Sequence, residues 1–131
     1  MRGFRGHPVV RRALIKFAAW LRVHFEFPIR LPVYLLVGPY VLTQSGARCS
    51  ASFFAPWRRS SEPYIRIVTG DYSVLRDERG RDNALASFII SFAHEIVHYQ
   101  QWIATGEVSE RGVSRRASGI LARYCQSTDR P

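Results

Sequence analysis

Residues 94–98, with the sequence His-Glu-Ile-Val-His, combine residue types and a spacing that suit metal chemistry. Histidines four positions apart lie on one face of a helix, with Cβ atoms ~5–6 Å apart, so both rings can reach one ion. Neutral imidazole is a good zinc ligand, and a catalytic zinc typically keeps three protein ligands and one open position. Glu95 lies beside such an ion, where its carboxylate can take a proton from water. The pattern therefore predicts a Zn2+ site at His94 and His98, with Glu95 as general base.

A long helix is needed to position these side chains. Apolar residues recur at helical spacing from Leu85 to Ile103, Asp82 is a suitable N-cap, and Gly106 is a suitable stop. The sequence therefore predicts a helix from about 83 to 104. The alternatives to a metal site are two surface histidines on an amphipathic helix, or one core histidine bonded to a buried carbonyl.

The rest of the chain predicts an α+β fold in one domain, residues 1–131. Pro8 begins an N-terminal helix with an apolar stripe that ends at His24, which we interpret as core-packing rather than membrane-surface. Three strands are predicted at 33–37, 48–54 and 64–68, followed by a loop or short turn at 71–80. A last helix is predicted to begin after Ser109 as cap and to reach about Gln126.

The composition narrows the class of protein. The net charge is +9, and every cation except Lys16 is an arginine. Because the arginines are spread along the chain, we interpret them as a solvated surface, with a nucleic-acid patch as the alternative. No apolar run approaches the ~20 residues of a membrane span. Cys49 and Cys125 are too few for a disulfide framework, so the sequence predicts a cytoplasmic protein, although one bridge between them stays open.

The His-Glu-x-x-His segment resembles the motif of the zincin metallopeptidases. The order of the elements, over residues 33–124, is similar to the glutamate-ligand branch of that family, the gluzincins. The resemblance implies a minimal zincin-like domain: an N-terminal helix, a small three-stranded twisted sheet, the motif helix, and a C-terminal helix that supplies the third ligand. It also implies that a peptide or protein substrate pairs with an edge strand of the sheet, for which we expect the 64–68 strand.

The third ligand is where the chain departs from the family patterns. The metzincin pattern needs glycine and histidine where this chain has Gln101 and Ala104, so that branch is excluded. Ser114 stands where a gluzincin has its glutamate. Glu110, one helical turn earlier, is the substitute that we expect to bind the metal, whereas Glu107 falls in the connecting loop.

Together these patterns predict a zinc-dependent metallopeptidase that hydrolyses peptide bonds through metal-activated water. Glu95 is its predicted general base, and His94, His98 and Glu110 are its predicted metal ligands. The alternative is a catalytically degenerate zincin fold that serves as a binding module, including one for nucleic acid. That alternative stays open because two histidines and water alone hold zinc weakly.

Overall fold

The structure is a computed structural model, and it describes residues 7–38, 41–42, 48–49, 51–58 and 60–127, with the backbone alone at 41–42 and 48–49. The described elements are helices α1 (Pro8–His24), α2 (Tyr72–Arg79), α3 (Arg81–Thr105) and α4 (Val113–Ser127), and strands β1 (Val33–Leu36), β2 (Val41–Leu42), β3 (Arg48–Cys49), β4 (Ala51–Phe54) and β5 (Tyr64–Val68). The predicted α+β class is confirmed.

The main sheet has three strands in the order β1-β5-β4. The central strand, β5, pairs parallel with β1 and antiparallel with β4. The prediction that 64–68 is the edge strand is therefore wrong, because β5 has a neighbour on both sides. Ile65 and Ile67 of β5 are fully buried, as expected of a central strand. In the described sheet, β4 is the edge strand of the antiparallel pair.

The predicted 48–54 strand is divided between two sheets. Its first part, β3, pairs antiparallel with β2 in a separate two-stranded ladder that the sequence did not predict. Its second part is β4, and Ser50 between them lies outside the described residues. The β-propensity of residues indicates that a segment is extended. It does not indicate which strand each half of the segment pairs with, because tertiary packing decides that.

Helix α3 is the central element, since α1, α2, α4 and the main sheet all pack against it. The Phe17 ring of α1 meets Phe92 of α3 edge-on at 5.4 Å and Tyr124 of α4 at 4.9 Å. All three rings are buried, and burial of such a side chain stabilises the fold by about 1.5–3 kcal/mol. The predicted stop at Gly106 is confirmed: its φ is 82°, and its N–H donates to the Trp102 carbonyl at 2.8 Å.

Several predicted boundaries are wrong. Residues 71–80 are not a loop but contain α2. Half of the residues of α2 are charged, and Tyr72 is the one buried side chain that packs it against the fold. The N-cap of α3 is Gly80, and Asp82 lies in its first turn. Helix α4 begins at Val113, so Ser109 is not its cap. His24, at the end of α1, is exposed instead of core-packing.

The charged surface and the membrane prediction can also be compared with the structure. Arg11 on α1, Arg76 on α2 and Arg115 on α4 are all exposed, which agrees with arginines distributed over the surface. Within the described ranges, none of the helices combines the length and apolarity needed to cross a bilayer. Cys125 is exposed and free, and the side chain of Cys49 lies outside the described residues.

Candidate metal centre

Helix α3 brings three titratable side chains together on one side. One ligating atom each from His94, Glu95 and His98 lie within 4.8 Å of one another. The two imidazole rings have centroids 5.0 Å apart and planes inclined by 69°. His98 and Glu95 are buried, whereas His94 is half-buried at the mouth of the site. The four-residue spacing therefore gives the convergence that the sequence predicted.

Glu110 completes the cluster from another element. Its Oε2 atom lies 3.0 Å from His94 Nε2, and its Oε1 atom lies 2.9 Å from His98 Nε2. The prediction that Glu110 belongs to the last helix is wrong, because it lies in the connecting loop 106–112 between α3 and α4. Its side chain is 75% exposed, so the two histidines are its main anchors.

His94, His98 and Glu110 carry donor atoms of the kinds that zinc takes, and the contacts of Glu110 are short enough for it to share one ion with each histidine. Zinc ligands lie ~2.0–2.2 Å from the ion, so two atoms that share one zinc are at most ~4.4 Å apart. The distances of 2.9 and 3.0 Å between Glu110 and the histidines satisfy this limit. Two imidazoles and one carboxylate are also a ligand set that catalytic zinc uses, with a fourth position left for water or substrate.

The two other residues considered for the third ligand are not part of this cluster. Ser114 is exposed in the first turn of α4, and Glu107 is exposed in loop 106–112. Among the described residues, the hydrogen bonds and ion pairs of His94 and His98 include neither of them. Glu110 is therefore the carboxylate that the fold places against both rings.

Glu95 has a perturbed proton affinity. Burial raises the pKa of its carboxyl from 4.5 to about 7, while the nearby His98 lowers the pKa and the Glu110 carboxylate raises it. Desolvation dominates because the group is only 7% exposed. A carboxyl group with a pKa near 7 can both accept and release a proton at neutral pH, as a general base must.

A cleft of about 390 Å³ opens over the cluster. Its walls come from the edge strand β4, helix α3 and the connecting loop: Ala51, Ser52, Phe53, His94, Glu95, His98, Val108, Ser109 and Glu110. The Trp102 indole N–H donates to the Pro56 carbonyl at 3.2 Å, which fixes the chain just after β4 against α3. The cleft thus places the edge strand β4 next to the titratable groups.

Sequence reasoning missed Gln101, which it considered only as a mismatch to the metzincin pattern. The Gln101 Oε1 atom lies 3.0 Å from His98 Nδ1 and accepts a hydrogen bond from the Ser109 N–H at 3.1 Å. A signal was present, because a residue three positions after His98 lies on the same helical face. The contact with Ser109 had no signal, since it depends on how the loop folds back.

The chain was compared with known protein families, curated proteins and solved structures. The chain matches no protein-family model, no curated protein and no solved structure. The zincin resemblance therefore depends on residues 94–98 and on the arrangement of the centre, and it stays a prediction.

Proposed function

We propose that this protein is a zinc-dependent peptidase whose metal is held by His94, His98 and Glu110. The observation that carries the proposal is the position of the Glu110 carboxylate, with one oxygen within hydrogen-bond distance of each histidine Nε2 atom. A carboxylate in this position supplies the third donor that the motif alone lacks.

In the proposed hydrolysis the metal would activate the reactants and Glu95 transfers the proton. A zinc ion held here would supply Lewis acidity, which would make a peptide carbonyl more electrophilic and water more acidic. Glu95 accepts the proton that water loses as its oxygen adds to the carbonyl carbon. Glu95 then delivers that proton to the amide nitrogen as the carbon–nitrogen bond breaks, so that an acid and an amine leave. A carboxylate acts as base in the first transfer and, once protonated, as acid in the second.

The substrate we propose is an extended peptide segment that pairs with the edge of β4. Ala51, Ser52 and Phe53 of this strand line the cleft that contains Glu95. Main-chain pairing with the edge of a sheet gives affinity without requiring a specific sequence, and it holds the peptide in an extended form beside the reacting groups. Strand β4 replaces β5 in this role because β5 is paired on both sides.

Metal content is the first test. Purified protein exposed to zinc and then dialysed should retain about one zinc per chain by elemental analysis, and His94→Ala should lose it. His24→Ala is the matched control, because His24 is exposed on α1 and is no part of the cluster. Wild-type protein that retains no more zinc than His94→Ala would refute the metal site.

Hydrolysis of an unstructured labelled protein is the second test. Glu95→Gln should keep the zinc and lower the rate by about 10²–10⁴-fold, because an amide cannot accept the proton. Glu107→Gln, an exposed loop substitution of the same kind, should leave the rate unchanged. Equal rates for wild type and Glu95→Gln would remove Glu95 from the mechanism, and no zinc-dependent hydrolysis in wild type would refute the peptidase.

A further inference from the structure

Gln101 lies one helical turn after His98 and contacts two parts of the centre with a single oxygen atom. This Oε1 atom lies 3.0 Å from His98 Nδ1 on α3. It also accepts a hydrogen bond from the main-chain N–H of Ser109, at 3.1 Å, in the connecting loop. Ser109 directly precedes Glu110, so the same oxygen is tied to the histidine and to the residue next to the third proposed ligand.

The hydrogen-bond chemistry determines which way the Gln101 amide faces. A main-chain N–H is only a donor, so the side-chain atom opposite Ser109 must be the amide oxygen. That oxygen is only an acceptor, so His98 must present a protonated Nδ1 to it. The Nε2 atom, 2.9 Å from Glu110 Oε1, faces the third proposed ligand instead, so it is the ring nitrogen placed to bind an ion.

We propose that Gln101 is a positioning residue of this centre. Its oxygen holds the His98 ring with the proton on Nδ1, and it holds loop 106–112 in the conformation that turns Glu110 toward both histidines. Metal-binding histidines generally donate their second ring N–H to a carboxylate, carbonyl or water, which fixes ring orientation and raises ligand basicity. Here a side-chain amide takes that place and also anchors the loop. The expected effect on zinc affinity rests on the proposed function, whereas the two hydrogen bonds of Gln101 are independent of it.

The neighbouring Gln100 provides a matched control. Its Oε1 atom accepts a hydrogen bond from Arg116 of α4 at 3.1 Å, so it links α3 to α4 without contacting His98. Two glutamines of the same size, adjacent on one helix, thus differ in which element they hold. Gln100→Met removes a helix–helix contact, whereas Gln101→Met removes the contacts to the ring and the loop.

Metal-free protein gives a direct test by nuclear magnetic resonance. In wild type, the Nδ1 proton of His98 should be visible in histidine-labelled protein, and the Ser109 amide should exchange slowly with solvent. Gln101→Met should remove the hydrogen-bonded Nδ1 proton signal of His98 and should speed Ser109 exchange by about 10-fold or more. Gln100→Met should change neither. Unchanged His98 and Ser109 signals in Gln101→Met would overturn the proposal.

Gln101→Glu keeps an acceptor oxygen at the same position and gives an independent reading. It should retain both the His98 Nδ1 proton and the Ser109 protection, and their loss in this folded variant would also overturn the proposal. Zinc affinity should fall about 10–100-fold in Gln101→Met and be restored in Gln101→Glu. If the resonance changes occur as expected but wild type binds no zinc, the positioning role stands and the proposed function fails.

Discussion

Helix α3 and the connecting loop 106–112 both bring groups to the candidate centre, yet they hold them in different ways. Twelve of the 25 residues of the helix are buried, and Glu95 and His98 are among them. Every residue of the loop is exposed, and the Glu110 side chain is 75% exposed. The helix positions its groups through packing, whereas the loop positions Glu110 through a few hydrogen bonds.

This difference shows how a small chain can build a site from one rigid and one adjustable part. Side chains on a packed helix keep their spacing regardless of what is bound, because the core fixes the helix. A carboxylate on an exposed loop can adjust its distance to an ion at low cost. We therefore expect substitutions on the core face of the helix to change the stability of the fold, and substitution of the Glu110 carboxylate on the loop to change ligand binding.

The largest expected effect concerns the core face of α3. Ile89 is fully buried, and Ile89→Ala should lower the free energy of unfolding by about 2–5 kcal/mol, through lost burial and the cavity left behind. Val108, 43% exposed in the loop, is the comparison, and Val108→Ala should change stability by no more than about 0.5 kcal/mol. Urea unfolding of the two variants measures both values, and equal losses would contradict the distinction between helix and loop.

The next largest expected effect is on zinc affinity, and it comes from a substitution in the connecting loop. Glu110→Gln should weaken zinc binding at least about 100-fold, because removing a ligand should cost no less than removing an outer hydrogen bond to one. The fold should keep its stability in metal-free conditions, since the side chain is exposed. Glu107→Gln, in the same loop and without a contact to the histidines among the described residues, should bind zinc like wild type. Indistinguishable affinities in competition titrations would exclude Glu110 as a ligand.

The same contrast explains what could be predicted from the sequence. The convergence of His94, Glu95 and His98 follows from local helical geometry, so their spacing alone was sufficient. Glu110 was named from the sequence but placed on the wrong element, because no local pattern shows that loop 106–112 folds back onto α3. The edge strand was misassigned for a similar reason. Alternation identifies a strand such as β5, but strand order depends on contacts distant in sequence.

The third effect is a pH dependence that arises inside the helix. In the metal-free protein the pKa of Glu95 is raised from 4.5 to about 7, because burial disfavours the charged form, with His98 lowering it and Glu110 raising it. A pKa raised on folding means that this contribution to stability is complete below pH ~4.5 and is lost as the pH rises through ~7. Glu95→Gln does not ionise, so its stability should lack this loss.

Urea midpoints measured in the presence of a chelator between pH 4.5 and 8 test this dependence. The wild-type midpoint should decline relative to Glu95→Gln as the pH rises through that interval. A difference between the two proteins that stays constant with pH would show that Glu95 titrates alike in the folded and unfolded chains. The chelator is essential, since a bound cation near Glu95 would favour its charged form.

The smallest expected effect compares two glycines that differ in backbone conformation alone. A Cβ atom added at Gly112 or at Gly119 meets nothing within 4 Å, so neither substitution creates a clash. Gly112 ends the connecting loop with a φ of +73°, a conformation that costs other residues about 1–2 kcal/mol, so Gly112→Ala should destabilise by roughly that amount. Gly119 lies within α4, where Gly119→Ala should stabilise by about 0.5–1 kcal/mol. Urea unfolding should thus show that glycine-to-alanine substitution lowers the free energy of unfolding at Gly112 and raises it at Gly119. Two substitutions of the same sign would mean that the loop does not depend on its left-handed residue to lead from Glu110 into α4.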